Sequence, residues 1–118
     1  MNIQDIKLKP LIKALLWAGI EDYCALWAAV WEINSLLPDV SKNTKFDLTR
    51  TLVKSLLDAG DIHLVRLENQ NIVPIPISDS PSILEDIHNW DVPKTLDDIQ
   101  ICFDTTDIGQ ERYKSMSS

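Results

Sequence analysis

The sequence predicts a single α+β domain, and three observations support this prediction. In the first half of the chain, apolar residues recur at the three-to-four spacing that is typical of amphipathic helices. Further along, short apolar runs at 62–67, 72–77 and 99–103 have the length and residue types of strands. The length of 118 residues fits one domain, and the composition, 45% apolar and 25% charged, is ordinary for a globular protein.

Two helices are expected in the first third of the chain. Pro10 suits the first turn of the first helix, where its missing N–H costs nothing, and Gly19 is expected to end that helix. Glu21 and Asp22 favour the positively polarised N-terminus of the second helix. Pro38 is expected to stop the second helix because proline cannot continue it.

A third helix is expected after a polar loop at 39–45. Asp47 is a favourable N-cap residue for this helix, and the apolar spacing then continues from Leu48 to Leu57. Gly60 stands where a helix commonly ends in the left-handed conformation. These signals bound the third helix on both sides.

A β-hairpin is expected next. The run 62–67 predicts a strand, the polar residues 68–71 predict a turn, and the run 72–77 predicts the returning strand. Pro74 and Pro76 cannot donate hydrogen bonds to a neighbour, so the returning strand should lie at an edge of the sheet. Three helices followed by a hairpin is the element order of a winged-helix domain, and we expect a winged-helix-like core.

The rest of the chain is expected to extend that core by a helix, a strand and a short C-terminal helix. Ser80 and the proline after it open the helix, which should reach about Trp90. The alternation over 99–103 predicts the strand. Thr106 or Asp107 is expected to cap the last helix.

Negative charge is concentrated in the last third of the chain. Eighteen Asp and Glu against eleven Lys and Arg give a net charge of −7. Residues 79–111 hold nine of the carboxylates and one cation, Lys94, so the net charge of that segment is −8. Such a concentration of negative charge attracts a positively charged partner. A solvated surface that keeps the protein soluble is the alternative explanation for the excess of carboxylates.

Seven carboxylates and one tryptophan, which serves as an aromatic anchor, are expected to contact such a partner. They are Glu85, Asp86, Trp90, Asp91, Asp97, Asp98, Asp104 and Asp107. Trp90 also follows the apolar stripe of its own helix, and this position favours the core over the interface.

A DNA-binding transcriptional regulator is the alternative. In a winged-helix domain the third helix enters the major groove, and here this helix carries Arg50 and Lys54 one turn apart. Arg66 on the hairpin adds a third cation. These cations are few and the chain is acidic, which opposes binding to phosphates, so a basic protein is the expected partner rather than nucleic acid.

No residue pattern points to catalysis, a metal or a cofactor. His63 and His88 have no second histidine within one turn, and the glycines are isolated, so neither a metal site nor a phosphate-binding loop is expected. Cys24 and Cys102 lie among apolar neighbours and are expected to be free, buried thiols. We therefore expect a protein that is not an enzyme.

A cytoplasmic location is expected, without contact to a membrane. The chain starts without the cationic leader and apolar core of a signal peptide, and no uninterrupted apolar stretch is long enough to span a bilayer. Residues 115–118 are expected to fray, so the single domain should span residues 1–114.

Several short motifs together suggest a family. They are the run Glu-Asp-Tyr-Cys-Ala-Leu-Trp-Ala-Ala-Val-Trp at 21–31, the helix end Leu-Asp-Ala-Gly-Asp-Ile at 57–62, Trp90, Pro93, and the pattern Phe103-x-x-Thr106-x-x-Gly109. In this order they resemble small bacterial winged-helix-like proteins of polymorphic toxin and immunity loci. The resemblance implies a non-enzymatic protein that binds and blocks a cognate toxin, such as a basic secreted nuclease.

Overall fold

The computed structural model describes residues 7–95 and 98–116, and over these residues the predicted α+β class is confirmed. The elements in chain order are α1 (Leu8–Glu21), β1 (Cys24–Ala25), α2 (Leu26–Leu36), α3 (Lys42–Asp58), β2 (Ile62–Glu68), β3 (Asn71–Pro74), α4 (Ser80–Glu85), β4 (Gln100–Thr105) and α5 (Asp107–Met116). Short 3-10 helices at Ile77–Asp79 and Ile87–Trp90 flank α4.

The four strands form one antiparallel sheet in the order β1-β4-β2-β3. The predicted hairpin of β2 and β3 is confirmed, and its turn residues Asn69 and Gln70 both have positive φ, at 50° and 67°. Positive φ at both positions matches the twist of a tight hairpin. The returning strand lies at the sheet edge, as its prolines predict, and ends at Pro74.

The three helices and the hairpin occur in the predicted order, but the strands are arranged around β4. This strand lies between β1 and β2, so the short strand between the first two helices pairs with the C-terminal strand and not with the hairpin. No observation confirms a winged-helix-like arrangement, which stays a prediction.

The core lies between the helices and one face of the sheet, which we call the inner face. On this face Ile62, Leu64 and Phe103 are almost completely buried. The register places Leu64 directly beside Phe103 on the neighbouring strand. The helices contribute leucine, isoleucine and valine side chains at helical spacing. Among these are Leu11, Leu15 and Leu16 of α1, Ile33 of α2, and Leu52, Val53 and Leu56 of α3.

Gly19 does not end the first helix, so that prediction is wrong. It lies inside α1, where a Cβ atom would stand only 2.5 Å from Oγ1 of Thr105. The same Oγ1 donates a hydrogen bond to the carbonyl oxygen of Leu16 over 2.8 Å. Gly19 therefore allows α1 to approach β4 closely, and this contact outweighs the modest cost of glycine within a helix.

Glu21 and Asp22 also differ from their predicted place. Glu21 is the last residue of α1, and Tyr23 and the two residues of β1 separate Asp22 from α2, which begins only at Leu26. The carboxylates therefore lie at the C-terminal end of one helix instead of the N-terminal end of the next. Pairing of Cys24 with Phe103 overrides the local preference of acidic residues for a helix start.

The third helix begins five residues earlier than the predicted cap Asp47. Ser41 is the N-cap, and its Oγ accepts a hydrogen bond from the Thr44 amide over 3.3 Å. The end of α3 is as predicted, because Gly60 has a φ of 81°. Asp61 N–H then donates to the carbonyl of Leu56, which completes a Schellman motif.

The helix expected to reach Trp90 is shorter than predicted. α4 ends at Glu85, and Asp86 adopts an extended conformation before the second 3-10 helix carries the chain to Trp90. The predicted cap Thr106 is confirmed, since its Oγ1 accepts from the Gly109 amide over 3.2 Å. α5 then continues to Met116, beyond the residue at which the domain was expected to end.

A tight junction joins α5 to the end of α3. The carbonyl oxygen of Asp61 accepts a hydrogen bond from the Thr106 amide over 2.9 Å. A Cβ atom on Gly109 would stand 2.1 Å from that same oxygen, so only glycine permits this approach. The Asp61 side chain, which is 3% exposed, pairs with the guanidinium of Arg112. This junction therefore contains a buried carboxylate whose partner comes from α5.

Candidate functional site

The acidic segment that follows β3 is anchored on the core by Trp90 over the described residues 79–95. The ring of Trp90 is 5% exposed and packs edge-on against Phe46, with 5.6 Å between ring centroids. Its Nε1 donates a hydrogen bond to the carbonyl oxygen of Leu84 over 3.0 Å. Trp90 is thus a core residue, and its ring is not presented to a partner.

Four of the predicted carboxylates that the structure describes lie within eight residues of Trp90 along the chain. Glu85, Asp86, Asp91 and Asp98 are all exposed. Over the described ranges 7–95 and 98–116, no lysine or arginine side chain forms an ion pair with any of them. Their charge is therefore available to solvent or to a partner.

Two of these carboxylates also fix the local backbone. Asp86 Oδ1 accepts a hydrogen bond from the His88 amide over 3.0 Å and so starts the second 3-10 helix. Asp98 Oδ2 accepts from the Lys94 amide over 2.7 Å and from the Thr95 amide over 3.2 Å. These backbone hydrogen bonds hold the pKa of Asp98 below its usual range. Asp98 is therefore in the charged form at neutral pH.

Asp91 and Asp98 meet at an open cavity of about 510 Å³, which Lys94 and Ile99 also line. The Nδ1 atom of His88 lies 3.4 Å from Oδ2 of Asp91 on its rim. The structure thus brings together two predicted site residues that are seven positions apart in the sequence.

Asp104 and Asp107 lie away from that cavity. Asp98 precedes β4 and Asp107 follows it, and a strand of six residues spans about 20 Å. Asp107 is the first residue of α5, where its charge complements the helix dipole. Asp97 lies outside the described residues. The predicted carboxylates are therefore divided between the two ends of β4.

Asp104 takes part in a pair on the face of the sheet opposite to the core, which we call the outer face. Its Oδ1 lies 2.8 Å from Nε2 of His63, directly across from it on β2, although the contact does not have hydrogen-bond geometry. Burial raises the pKa of Asp104, and the nearby His63 opposes this effect. Asp104 thus has a partner within the sheet.

The cations of the DNA-binding alternative are mixed with carboxylates. Arg50 and Lys54 line a groove of about 310 Å³ between α3 and α4, and Asp47 and Glu85 line the same groove. Arg66 lies on β2 opposite Ile101 and does not line this groove. A phosphate that approached Arg50 or Lys54 would meet two carboxylates beside them, so the groove is a poor fit to a nucleic-acid backbone.

Sequence reasoning missed a larger groove of about 540 Å³ on the outer face. Its floor contains Val65, Leu67 and Cys102, and Trp27 of α2 forms part of its wall. The indole Nε1 of Trp27 donates to Oε1 of Gln100 over 3.2 Å, which fixes the ring beside the sheet. The consecutive apolar residues Leu64 and Val65 could have indicated it, because they require apolar surroundings on both faces of β2.

The two cysteines are free and buried, as predicted. They lie on neighbouring strands, since β1 pairs with β4. Burial raises the pKa of the Cys24 thiol to about 12, and the adjacent Cys102 adds to the effect. Burial likewise raises the pKa of Cys102 to about 11.

We expect both thiols of the folded protein to react slowly with iodoacetamide at about pH 8, because only the thiolate attacks the reagent. Since both pKa values lie well above this pH, the alkylation rate should rise about tenfold per pH unit, without a plateau near pH 9. Intact-protein mass spectrometry measures the rate, and the protein unfolded in guanidinium is the control. A plateau near pH 9 in the folded protein would contradict the effect of burial.

Comparisons with models of protein families, with curated proteins and with solved structures give no match for the chain. Within residues 7–95 and 98–116, no group of three or more His, Cys, Asp or Glu side chains is arranged to hold a metal ion. Over the same residues, no helix combines the length and the apolar character needed to cross a membrane.

Proposed function

We propose that this protein is a non-enzymatic binding protein of the immunity type, which blocks a positively charged protein such as a nuclease toxin. The observation that carries the proposal is a set of exposed carboxylates that lie close to Trp90 in the chain. Glu85, Asp86, Asp91 and Asp98 are exposed, and within the described residues they have no lysine or arginine ion-pair partner. Lys94 lies near Asp91 and Asp98, and Arg50 and Lys54 line the groove beside Glu85, but in the described part of the chain none of these cations forms an ion pair with the four carboxylates. Exposed carboxylates without ion-pair partners increase the rate at which a basic partner associates.

The surface also has a defined shape, which an unstructured acidic tail would lack. Trp90 is held by its hydrogen bond to Leu84, and Asp98 is held by two backbone amides. A preorganised surface loses less conformational entropy when it binds than a mobile one. The proposed interface consists of Glu85 at the end of α4, Asp86 and Asp91 on either side of the second 3-10 helix, and Asp98 before β4. It leaves out Asp104 and Asp107.

Charge reversal tests this proposal. The first partner to test is the product of the neighbouring gene. If that product is a basic toxin, the double variant Glu85→Lys/Asp91→Lys should slow its association by about tenfold at low salt. We expect the difference to shrink at high salt, where screening weakens long-range attraction. Stopped-flow fluorescence or surface plasmon resonance measures the association rate constant, and rescue of cells from that toxin provides the biological readout.

The matched control is Asp39→Lys/Asp58→Lys, which changes the net charge equally at exposed carboxylates outside the segment. If both double variants slow association equally, only net charge matters and the proposed surface is wrong. Retardation of duplex DNA at low salt that is lost in Arg50→Ala/Lys54→Ala would instead favour the DNA-binding regulator.

A further inference from the structure

We propose that the groove on the outer face of the sheet binds a short segment of a partner protein that carries both apolar and positively charged side chains. The proposal rests on the proposed function, because the segment is taken to belong to the positively charged protein that this chain is proposed to bind. It assigns a second contact, because none of Glu85, Asp86, Asp91 and Asp98 lines this groove.

The floor of the groove is an apolar row that crosses the sheet. The register places Ala25 opposite Cys102, Cys102 opposite Val65, and Val65 opposite Pro74. Leu67 lies in the next row on the same face. The helices of the core cover the inner face, whereas Trp27 and Ala28 of α2 cover only part of the outer face. Ala25, Cys102 and Val65 are buried beneath this surface. The apolar surface that is open to side chains of a ligand is therefore that of Trp27, Leu67 and Ile72, which also line the groove.

Aromatic rings border the groove on the side of α2. Trp27 lines the groove and packs edge-on against Trp31, with 5.4 Å between ring centroids. Trp31 is 60% exposed and lies outside the groove lining. Tyr23 lies on the groove and is also exposed. Exposed tryptophan and tyrosine rings bind lysine and arginine side chains through cation–π contacts, and they are frequent anchors of interfaces.

The charges on the groove have one sign. Glu21, Asp22 and Glu32 line it, and no lysine, arginine or histidine does so within the described residues. An apolar floor with a carboxylate rim is complementary to a segment in which leucine-like side chains alternate or cluster with lysine or arginine. The same carboxylates disfavour phosphate groups and anionic lipids.

The rim also argues against a second copy of this chain as the occupant. In a symmetric dimer the same surface patch of both subunits would meet, so the three rim carboxylates of each copy would approach those of the other. Like charges opposed across an interface weaken it strongly. A basic segment of a different protein avoids this repulsion.

Peptide selection on the intact protein tests the groove. The probe is a displayed library of random short peptides, and we expect the selected sequences to combine apolar residues with lysine or arginine. The tightest peptide should shift the backbone amide signals of Ala25, Val65 and Cys102 and the indole signal of Trp27 in the isotope-labelled protein. Its affinity should fall by about tenfold in Glu21→Lys/Glu32→Lys, because both substitutions reverse rim charges.

The control variant is Glu85→Lys/Asp91→Lys, which should leave peptide affinity within about twofold because its substitutions lie outside the groove. The groove proposal is overturned if no peptide is selected, if the peptides are neutral or acidic, or if they bind Glu21→Lys/Glu32→Lys as well as the wild type. The two proposals fail separately. Loss of peptide binding only in the rim variant supports the groove even if Glu85→Lys/Asp91→Lys has normal association kinetics with the toxin.

Discussion

Substitution Arg112→Met should lower the free energy of unfolding by about 3 kcal/mol. The carboxylate of Asp61 is 3% exposed, and Arg112 is the cation with which it pairs. Methionine retains much of the aliphatic stem but removes the charge, so a buried carboxylate is left without its partner. We place the effect at the lower end of the range for buried pairs because the Arg112 side chain is 40% exposed and water can replace it in part.

Urea denaturation followed by circular dichroism measures this effect. Adding Asp61→Asn to Arg112→Met should recover part of the lost stability, since it removes the unpaired charge. Lys114→Met is the control because Lys114 pairs with Glu111 at the surface of the same helix, and its loss should cost less than about 1 kcal/mol. Equal costs for Arg112→Met and Lys114→Met would contradict our interpretation of the junction.

Substitution Phe103→Ala should lower the free energy of unfolding by about 3–5 kcal/mol. Phe103 has no exposed surface, and it lies on the central strand opposite Leu64 on one side and Cys24 on the other. Removing its ring loses apolar burial and leaves a cavity that neighbouring strands cannot close. This cost is a large fraction of the total stability of about 5–15 kcal/mol that is typical of a small domain.

Thermal and urea unfolding of Phe103→Ala test this expectation against Ile99→Ala. Ile99 lies just before the same strand but is exposed, so its truncation should cost less than about 1 kcal/mol. If Phe103→Ala unfolds within about 1 kcal/mol of the wild type, β4 is not the central strand of the core.

The elements that sequence analysis predicted correctly are those with local signals. The turn of the hairpin, the edge position of the strand with Pro74 and the left-handed Gly60 each depend on a few neighbouring residues. Where a contact between residues far apart in the sequence determines the structure, the prediction from local residues was wrong. Gly19 has the low helix propensity of a terminator, but its contact with Thr105 keeps it inside α1.

The candidate surfaces depend even more on distant contacts. The sequence correctly indicates that carboxylates accumulate after residue 79, but their division between the two ends of β4 follows from the strand's place in the sheet. The consecutive apolar residues Leu64 and Val65 indicate apolar surroundings on both faces of β2. The wall of the groove on the outer face could not be predicted, because β1 is two residues long and has no periodic pattern. Without the pairing of Ala25 with Cys102, nothing in the sequence brings Trp27 to the sheet.

The central position of β4 has a consequence for the synthesis of this protein. β4 is translated after both of its neighbours, yet it pairs with β1 and β2. At about 5–20 residues per second, a ribosome needs a few seconds to go from the end of β2 to the end of β4. During that interval the nascent chain holds a hairpin whose β2 edge is unpaired and apolar, a state prone to aggregation. Co-expression of a chaperone that shields such edges should therefore increase the yield of this protein.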